Sequence, residues 1–179
     1  MNLSHAMKYA PTRERQGALG QFLTPSPTGD FMASLFDALP PTVRLIDAGA
    51  GAGALTLAFV RRACLPDSGV RSIQATAYEL DPQILPALRE TLEECEAFCQ
   101  AQGIAFTASL HHTDFIQEMA GMLSGDLFSA APPSFNVAIA NPPYKKINTN
   151  SPERLALQEN PPSHNLNVPS RRLDIRLER

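Results

Sequence analysis

Residues Val43-Arg44-Leu45-Ile46-Asp47-Ala48-Gly49-Ala50-Gly51-Ala52-Gly53-Ala54-Leu55 decide how the chain is read. Val43 to Asp47 is a short apolar strand. The alternating glycines at 49, 51 and 53 make a turn, and Ala54 to Ala63 continues as a helix. Small residues let the backbone approach a ligand closely, and a helix start offers unpaired N–H groups. Dinucleotide enzymes place GxGxxG at such a turn to hold a pyrophosphate. Here the pattern is GxGxG, and an acid, Asp47, stands just before it. An acid there repels a pyrophosphate but attracts an ammonium or sulfonium group, directly or through water. The plainer reading is a tight turn for helix–strand packing.

Outward from this loop, strand and helix signals alternate. Upstream, Gln21 to Pro27 reads as extended, because each proline biases its predecessor away from helix. Thr28 or Asp30 caps a helix to about Leu39, with Phe31, Leu35 and Leu39 on one face, and Pro40-Pro41 stops it. Downstream, Ile73 to Tyr78 alternates as a second strand. Asp81-Pro82 starts a helix that ends at Gly103. Ile104 to Leu110 is a third strand, Phe115 to Leu123 a short helix, and residues 124–134 a Gly/Pro/Ser linker. Phe135 to Ala140 is a fourth strand. Alternating short apolar strands and helices predict an α/β fold with a doubly wound parallel sheet. Ligands of such sheets bind beyond the carboxyl ends of the strands. The polar residues there are Asp47, Glu79, Asp114 and Asn141.

The length of 179 residues suits one domain, and a 44% apolar, 18% charged composition can form a packed core. A net charge of −3 excludes a strongly basic coat protein. Residues 47–143 carry four basic against eleven acidic groups, and residues 144–179 seven against four. An acidic middle suits a cationic or neutral small ligand, and a basic end an anionic partner. Cys64, Cys95 and Cys99 form no CxxC pair and read as small buried hydrophobes of a cytoplasmic protein. His111 and His112 have no metal-spaced partners, so no metal is expected. No secretory signal or membrane span is visible.

Three strand ends beyond the loop carry their own chemistry. Glu79 can accept both hydroxyls of a ribose, one per carboxylate oxygen, or be simply a solvated charge. Asp81 suits a helix cap. Asp114 can accept from an adenine amine, with Phe115 covering the ring, or cap the next helix, and the two roles can coexist. Asn141-Pro142-Pro143-Tyr144 is the most informative. Its prolines stiffen the backbone and remove N–H donors, leaving the Asn141 side-chain oxygen and the Pro142 carbonyl as acceptors. Two fixed acceptors can hold both hydrogens of a planar NH2 and aim the nitrogen lone pair outward. Tyr144 offers a flat face for a planar ring. A nicotinamide oxidoreductase gives this tetrad no task.

With these motifs in this order, the chain resembles the S-adenosylmethionine-dependent DNA N6-adenine methyltransferases of restriction–modification systems. The resemblance covers roughly residues 18–158. It implies the class I, Rossmann-like methyltransferase fold. Phe22, Thr24 and Pro25 match the F-x-TP element that contacts the methionine moiety. Asp47, Ala48, Gly49 and Gly51 match the D-x-G-x-G loop, Glu79 with Leu80 the ribose acid, and Asp114 and Phe115 the adenine-binding pair. Asn141, Pro142, Pro143 and Tyr144 match NPPY, implied to grip a flipped adenine for in-line attack on the sulfonium methyl. Double-stranded DNA is the implied partner, with Lys145 and Lys146 beside the pocket able to touch phosphates. A protein-glutamine or RNA amine methyltransferase is the alternative, as is a non-catalytic remnant or subunit. The expected organisation is an arm at 1–20, a catalytic domain at 21–158 and an irregular basic tail at 159–179. The family continues with further strands. The expectation is therefore a domain incomplete at its C-terminus, in need of a complementary fragment or specificity subunit.

Overall fold

The computed structural model describes residues 24–123, 134–141 and 155. The expected arm and basic tail lie outside the described residues. Helix α1 spans Ser26–Ser34 and strand β1 Thr42–Ala48. Helix α2 spans Ala54–Ala63, strand β2 Ser72–Tyr78 and helix α3 Leu85–Ala101. Strand β3 is Ala105–His111, helix α4 Phe115–Leu123 and strand β4 Val137–Ile139.

The four strands form one sheet in the order β3-β2-β1-β4, every pair parallel. The chain steps outward from β1 to β3, then returns to the far side of β1 for β4. The order therefore reverses between β1 and β4, which makes their carboxyl ends a switch point. Register puts Leu45 beside Ala75 and Val137, and Asp47 beside Ala77 and Ile139. Side chains alternate between faces with a period of two. Val43, Leu45, Ile73, Ala75, Val137 and Ile139 form the core with Leu57, Phe59 and Val60 of α2 and Cys95 and Cys99 of α3. Tyr78 has the opposite parity to Ala77, and Phe115 of α4 meets its ring at 5.2 Å. The sheet is thus wound on both faces, as the alternating pattern predicts.

Asn136 pins β4 in place. Its side-chain oxygen accepts the Arg44 N–H at 2.7 Å, and its Nδ2 donates to the Thr42 carbonyl at 2.9 Å. An exposed strand end is thereby tied to the centre of the sheet by two bonds that no apolar pattern encodes. Cys64, Cys95 and Cys99 are buried and free, with the sulfurs of Cys64 and Cys99 3.6 Å apart.

Two expectations need correction. Helix α1 begins earlier and ends sooner than its apolar spacing predicts. Its buried residues are Gly29 and Ala33, whereas Phe31 and Leu35 are 64% and 65% exposed. Close approach decides the face: a Cβ on Gly29 would stand 3.3 Å from Cβ of Ala58 in α2, so small residues must point inward. Helix α3 starts at Leu85, not at Asp81-Pro82. Asp81 instead closes a turn, its Oδ1 accepting the Gln83 N–H at 3.0 Å and its carbonyl the Ile84 N–H at 3.1 Å.

Candidate active site

The glycine loop is built by backbone conformation. Gly49, Gly51 and Gly53 all have positive φ, at 81°, 56° and 82°. Gly53 is the N-cap of α2, and a Cβ there would meet Cγ2 of Thr91 at 2.8 Å and Cδ1 of Leu88 at 3.0 Å. Only glycine satisfies both demands. Thr91 also donates from Oγ1 to the Ala52 carbonyl at 2.7 Å, which ties the loop to α3.

The loop spends its own N–H groups inside the protein. Gly49 and Ala50 donate to the Tyr78 carbonyl at 3.0 and 2.8 Å, and Gly53 donates to Ala50 at 2.9 Å. Gly51 donates to Oε2 of Glu79 at 2.8 Å. A phosphate cradle needs such donors facing a ligand. These donors serve the loop itself, so the geometry disfavours a dinucleotide pyrophosphate.

Asp47 is 1% exposed at the end of β1. Its Oδ2 accepts the Thr56 hydroxyl at 2.7 Å, and its Oδ1 is buried without a hydrogen-bond partner among the described residues. Burial pushes its carboxyl up to about 6. The Thr56 hydroxyl and backbone N–H pull the other way, and the charge of Glu79 adds to burial. Ala48, the last residue of β1, is partly exposed beside it.

Glu79, 4% exposed, follows β2. It bridges two backbone segments, accepting Gly51 on Oε2 and the Asp81 N–H on Oε1 at 2.7 Å. It is no solvated charge. Leu80 beside it is 52% exposed, and its carbonyl accepts Nε2 of His112 at 3.1 Å. Asp114 follows β3 and accepts the Gln117 N–H at 3.0 Å on Oδ1, so it caps α4. Phe115 packs edge-on against Tyr78, whose other neighbour is the stacked ring of His111 at 4.7 Å. His111 in turn pairs with Glu118 at 3.2 Å.

Asn141 follows β4. Its Nδ2 donates to Oγ1 of Thr24 at 3.1 Å. Pro25, next to Thr24, is the extended N-cap of α1, and its carbonyl accepts the N–H groups of Thr28 and Gly29 at 3.0 and 3.1 Å. Asp47, Glu79, Asp114 and Asn141 thus stand at the carboxyl ends of four parallel strands. Phe22, Pro142, Pro143, Tyr144, Lys145 and Lys146 lie outside the described residues. Among the described residues, no group of three or more His, Cys, Asp or Glu could hold a metal ion, and no helix is long and apolar enough to cross a membrane.

Sequence reasoning missed Thr56, Tyr78 and Thr91. Thr56 was visible as the one hydroxyl in the apolar run from Ala54 to Val60. Tyr78 had no signal beyond its place next to Glu79. Thr91 lies 38 residues from Gly53, and only the packing of α3 on the loop reveals it.

A parallel α/β sheet with an acidic glycine loop and an amide at its switch point offers a ligand site at the carboxyl ends of its strands. Comparison with known proteins narrows what that site serves. No protein-family profile matches the chain. It is 36% identical over 141 residues to type II methyltransferase M.PstI of Providencia stuartii, covering 79% of this chain and 27% of that protein. It is 36% identical over 153 residues to type II methyltransferase M.BsuBI of Bacillus subtilis, covering 83% of this chain and 29% of that protein. Among solved structures, one from Listeria monocytogenes, assigned to the class I S-adenosylmethionine-dependent methyltransferases, is 18% identical with a TM-score of 0.49. It covers 79% of this chain and 36% of that one. A type I restriction–modification methyltransferase subunit from Streptococcus thermophilus is 22% identical with a TM-score of 0.44, over 73% of this chain and 26% of that one. The chain is thus similar over most of its own length to two type II methyltransferases, and it spans between a quarter and a third of theirs.

That similarity implies S-adenosylmethionine as the cofactor, and the residues present fit it. An orphaned buried carboxylate oxygen on Asp47 suits a positive charge or a bridging water. A Cβ on Gly49 would meet nothing within 4 Å, so there is open space beside the loop. Two acids at adjacent strand ends suit a cationic nucleoside better than a phosphate.

Proposed function

We propose that this chain carries the cofactor site and the amine grip of a restriction–modification methyltransferase acting on the N6 amine of a flipped-out adenine in double-stranded DNA. One observation carries the reading. Asp47 and Glu79 end adjacent strands on one side of the switch point, and Asn141 ends the strand on the other.

S-adenosylmethionine, when bound, supplies a methyl group on positively charged sulfur. Asp47, just before the loop, provides a negative charge for it. Glu79 is held beside the loop by two backbone N–H groups, and its carboxylate is the acceptor proposed for the ribose hydroxyls. Leu80 and Phe115 give apolar faces for a base, and the second oxygen of Asp114 can accept from its amine while Oδ1 caps α4. Asn141 and the Pro142 carbonyl hold the two hydrogens of the target amine, with Tyr144 beneath the ring. These groups orient the amine and preorganise the charge around it, which is where the rate gain arises. The reading places the protein in the cytoplasm, with its DNA and any complementary polypeptide or specificity subunit.

The test uses the 179-residue chain. Cofactor affinity is measured by calorimetry, and label transfer from S-adenosylmethionine is measured to duplex DNA, to RNA and to release-factor protein. Cofactor binding with transfer to adenine in DNA supports the reading. Transfer only to RNA or to a glutamine side chain overturns the DNA assignment, and no cofactor binding overturns the methyltransferase.

A further inference from the structure

We propose that Thr24 is a positioning residue that anchors the Asn141 carboxamide in the orientation seen here. For its catalytic consequence the proposal rests on the reading above; for the hydrogen bond itself it does not.

A primary amide has two unlike ends. Its oxygen accepts and its nitrogen donates, and a half-turn about χ2 exchanges them. Gripping an exocyclic amine needs the oxygen end forward. The nitrogen end must then point away from the amine and find an acceptor, or an N–H is left unpaired. In this structure that acceptor is Oγ1 of Thr24, 3.1 Å from Nδ2 of Asn141 and 117 residues away in the chain.

Both partners are held. Thr24 precedes Pro25, whose ring restricts it to extended conformations. Pro25 is bonded to the first turn of α1, and α1 is seated on α2 through the close approach of Gly29 to Ala58. On the other side, Asn136 locks β4 to β1. A hydroxyl can accept from the nitrogen end of an amide or donate to its oxygen end, so this bond between two anchored groups fixes where the carboxamide sits, here with Nδ2 toward Thr24. The resemblance in the sequence assigns Thr24 to the methionine moiety of the cofactor. The geometry gives it this separate task, and the two assignments predict different kinetics.

The first measurement needs no turnover. In the 15N-labelled chain, the Asn141 side-chain NH2 signal is identified by its loss in Asn141→Ala. Thr24→Val removes the acceptor at nearly constant shape, and Thr24→Ser restores it. The expected result is a displaced Asn141 NH2 signal, with faster proton exchange, in T24V and recovery in T24S, while the backbone spectrum beyond residue 30 is unchanged. An unchanged NH2 signal in T24V, or an equal displacement in T24V and T24S, overturns the proposal. So does a T24V spectrum altered throughout, since Thr24 would then be a general support of the fold.

The second measurement separates the roles. If Thr24 positions Asn141, T24V lowers kcat about three- to tenfold, the worth of one neutral hydrogen bond, with KM for S-adenosylmethionine held. A raised KM with kcat held makes Thr24 a cofactor contact and overturns the positioning role. If the wild-type chain binds no cofactor, the proposed function fails, while the NMR result still decides the link between Thr24 and Asn141.

Discussion

The hydroxyl of Thr56 donates to one oxygen of Asp47 at 2.7 Å and leaves the other oxygen buried without a partner. Half of this carboxylate is satisfied and half is not. Its carboxyl, raised from 3.8 to about 6, binds a proton more tightly in the folded than in the unfolded chain. A raised acid contributes stability that is full below the unfolded value and is lost as pH rises through the folded one. The window is therefore about pH 4 to 6. Asp47→Asn carries no such charge. Urea unfolding at pH 4.5 and pH 7.5 is expected to show D47N gaining about 2 kcal/mol on the wild type across that interval. Under the proposed function D47N also loses cofactor affinity at pH 7.5. A difference between the two proteins that does not change with pH counts against the buried ionisation.

Removing the partner acts in the opposite sense. Thr56→Val leaves Oδ2 of Asp47 without its side-chain donor in a dry interior, at a cost of about 1–3 kcal/mol near neutral pH. Thr56→Ser keeps the donor and recovers most of the loss. Equal destabilisation by Val and Ser would mean that the methyl packing, not the hydroxyl, matters at this position.

Glu79 acts as a clasp between Gly51 and Asp81. Glu79→Gln keeps one accepting oxygen and turns an NH2 toward the other N–H. Hydrogen exchange is expected to accelerate about tenfold at one of the two amides, Gly51 or Asp81, while β2 keeps its protection. Exchange unchanged at both would show that the clasp does not hold the loop.

At Gly53, Ala introduces a side chain at a φ of 82° and within 2.8 Å of Thr91 Cγ2. The expected loss is about 2–4 kcal/mol, from left-handed strain and overpacking together. In the Thr91→Ser background the methyl is gone and the hydroxyl bond to Ala52 remains, so the same change should cost about 1 kcal/mol less. Chemical denaturation of the four proteins checks this, and strict additivity would argue that the two groups do not meet.

The faces of α1 can be told apart by substitution. Phe31→Ser on the exposed side is expected to alter stability by less than about 0.5 kcal/mol. Ala33→Leu on the buried side is expected to cost about 1–3 kcal/mol through overpacking. Thermal melts that rank the two in reverse would restore the face predicted from apolar spacing.

That reversal shows where sequence reading stops. The strand–loop–helix around Asp47 was legible because glycine alternation, apolar runs and strand–helix order are local patterns. So were the strand ends that carry Glu79, Asp114 and Asn141. The inward face of α1 was not, because Gly29 faces inward only once α2 is there to meet it. Asp81 looked like a helix cap since the local chain favours one, yet the acceptor that its N–H finds is Glu79. The bonds from Asn136 to Arg44 and Thr42, and from Asn141 to Thr24, join segments more than ninety residues apart, and no window along the chain contains both ends.

The pinning of β4 by Asn136 also orders events in time. Strands β1 and β2 meet across 30 residues, whereas β4 must return to β1 across 92. Closing the longer span costs about 1 kcal/mol more in chain entropy. On a nascent chain, moreover, β1 to β3 are complete before β4 has been translated. The end of the sheet that carries Asp47 and Glu79 therefore matures first, and Asn141 arrives last. Mild denaturants should retrace that history backwards, detaching β4 while Asp47 and Glu79 still keep their places.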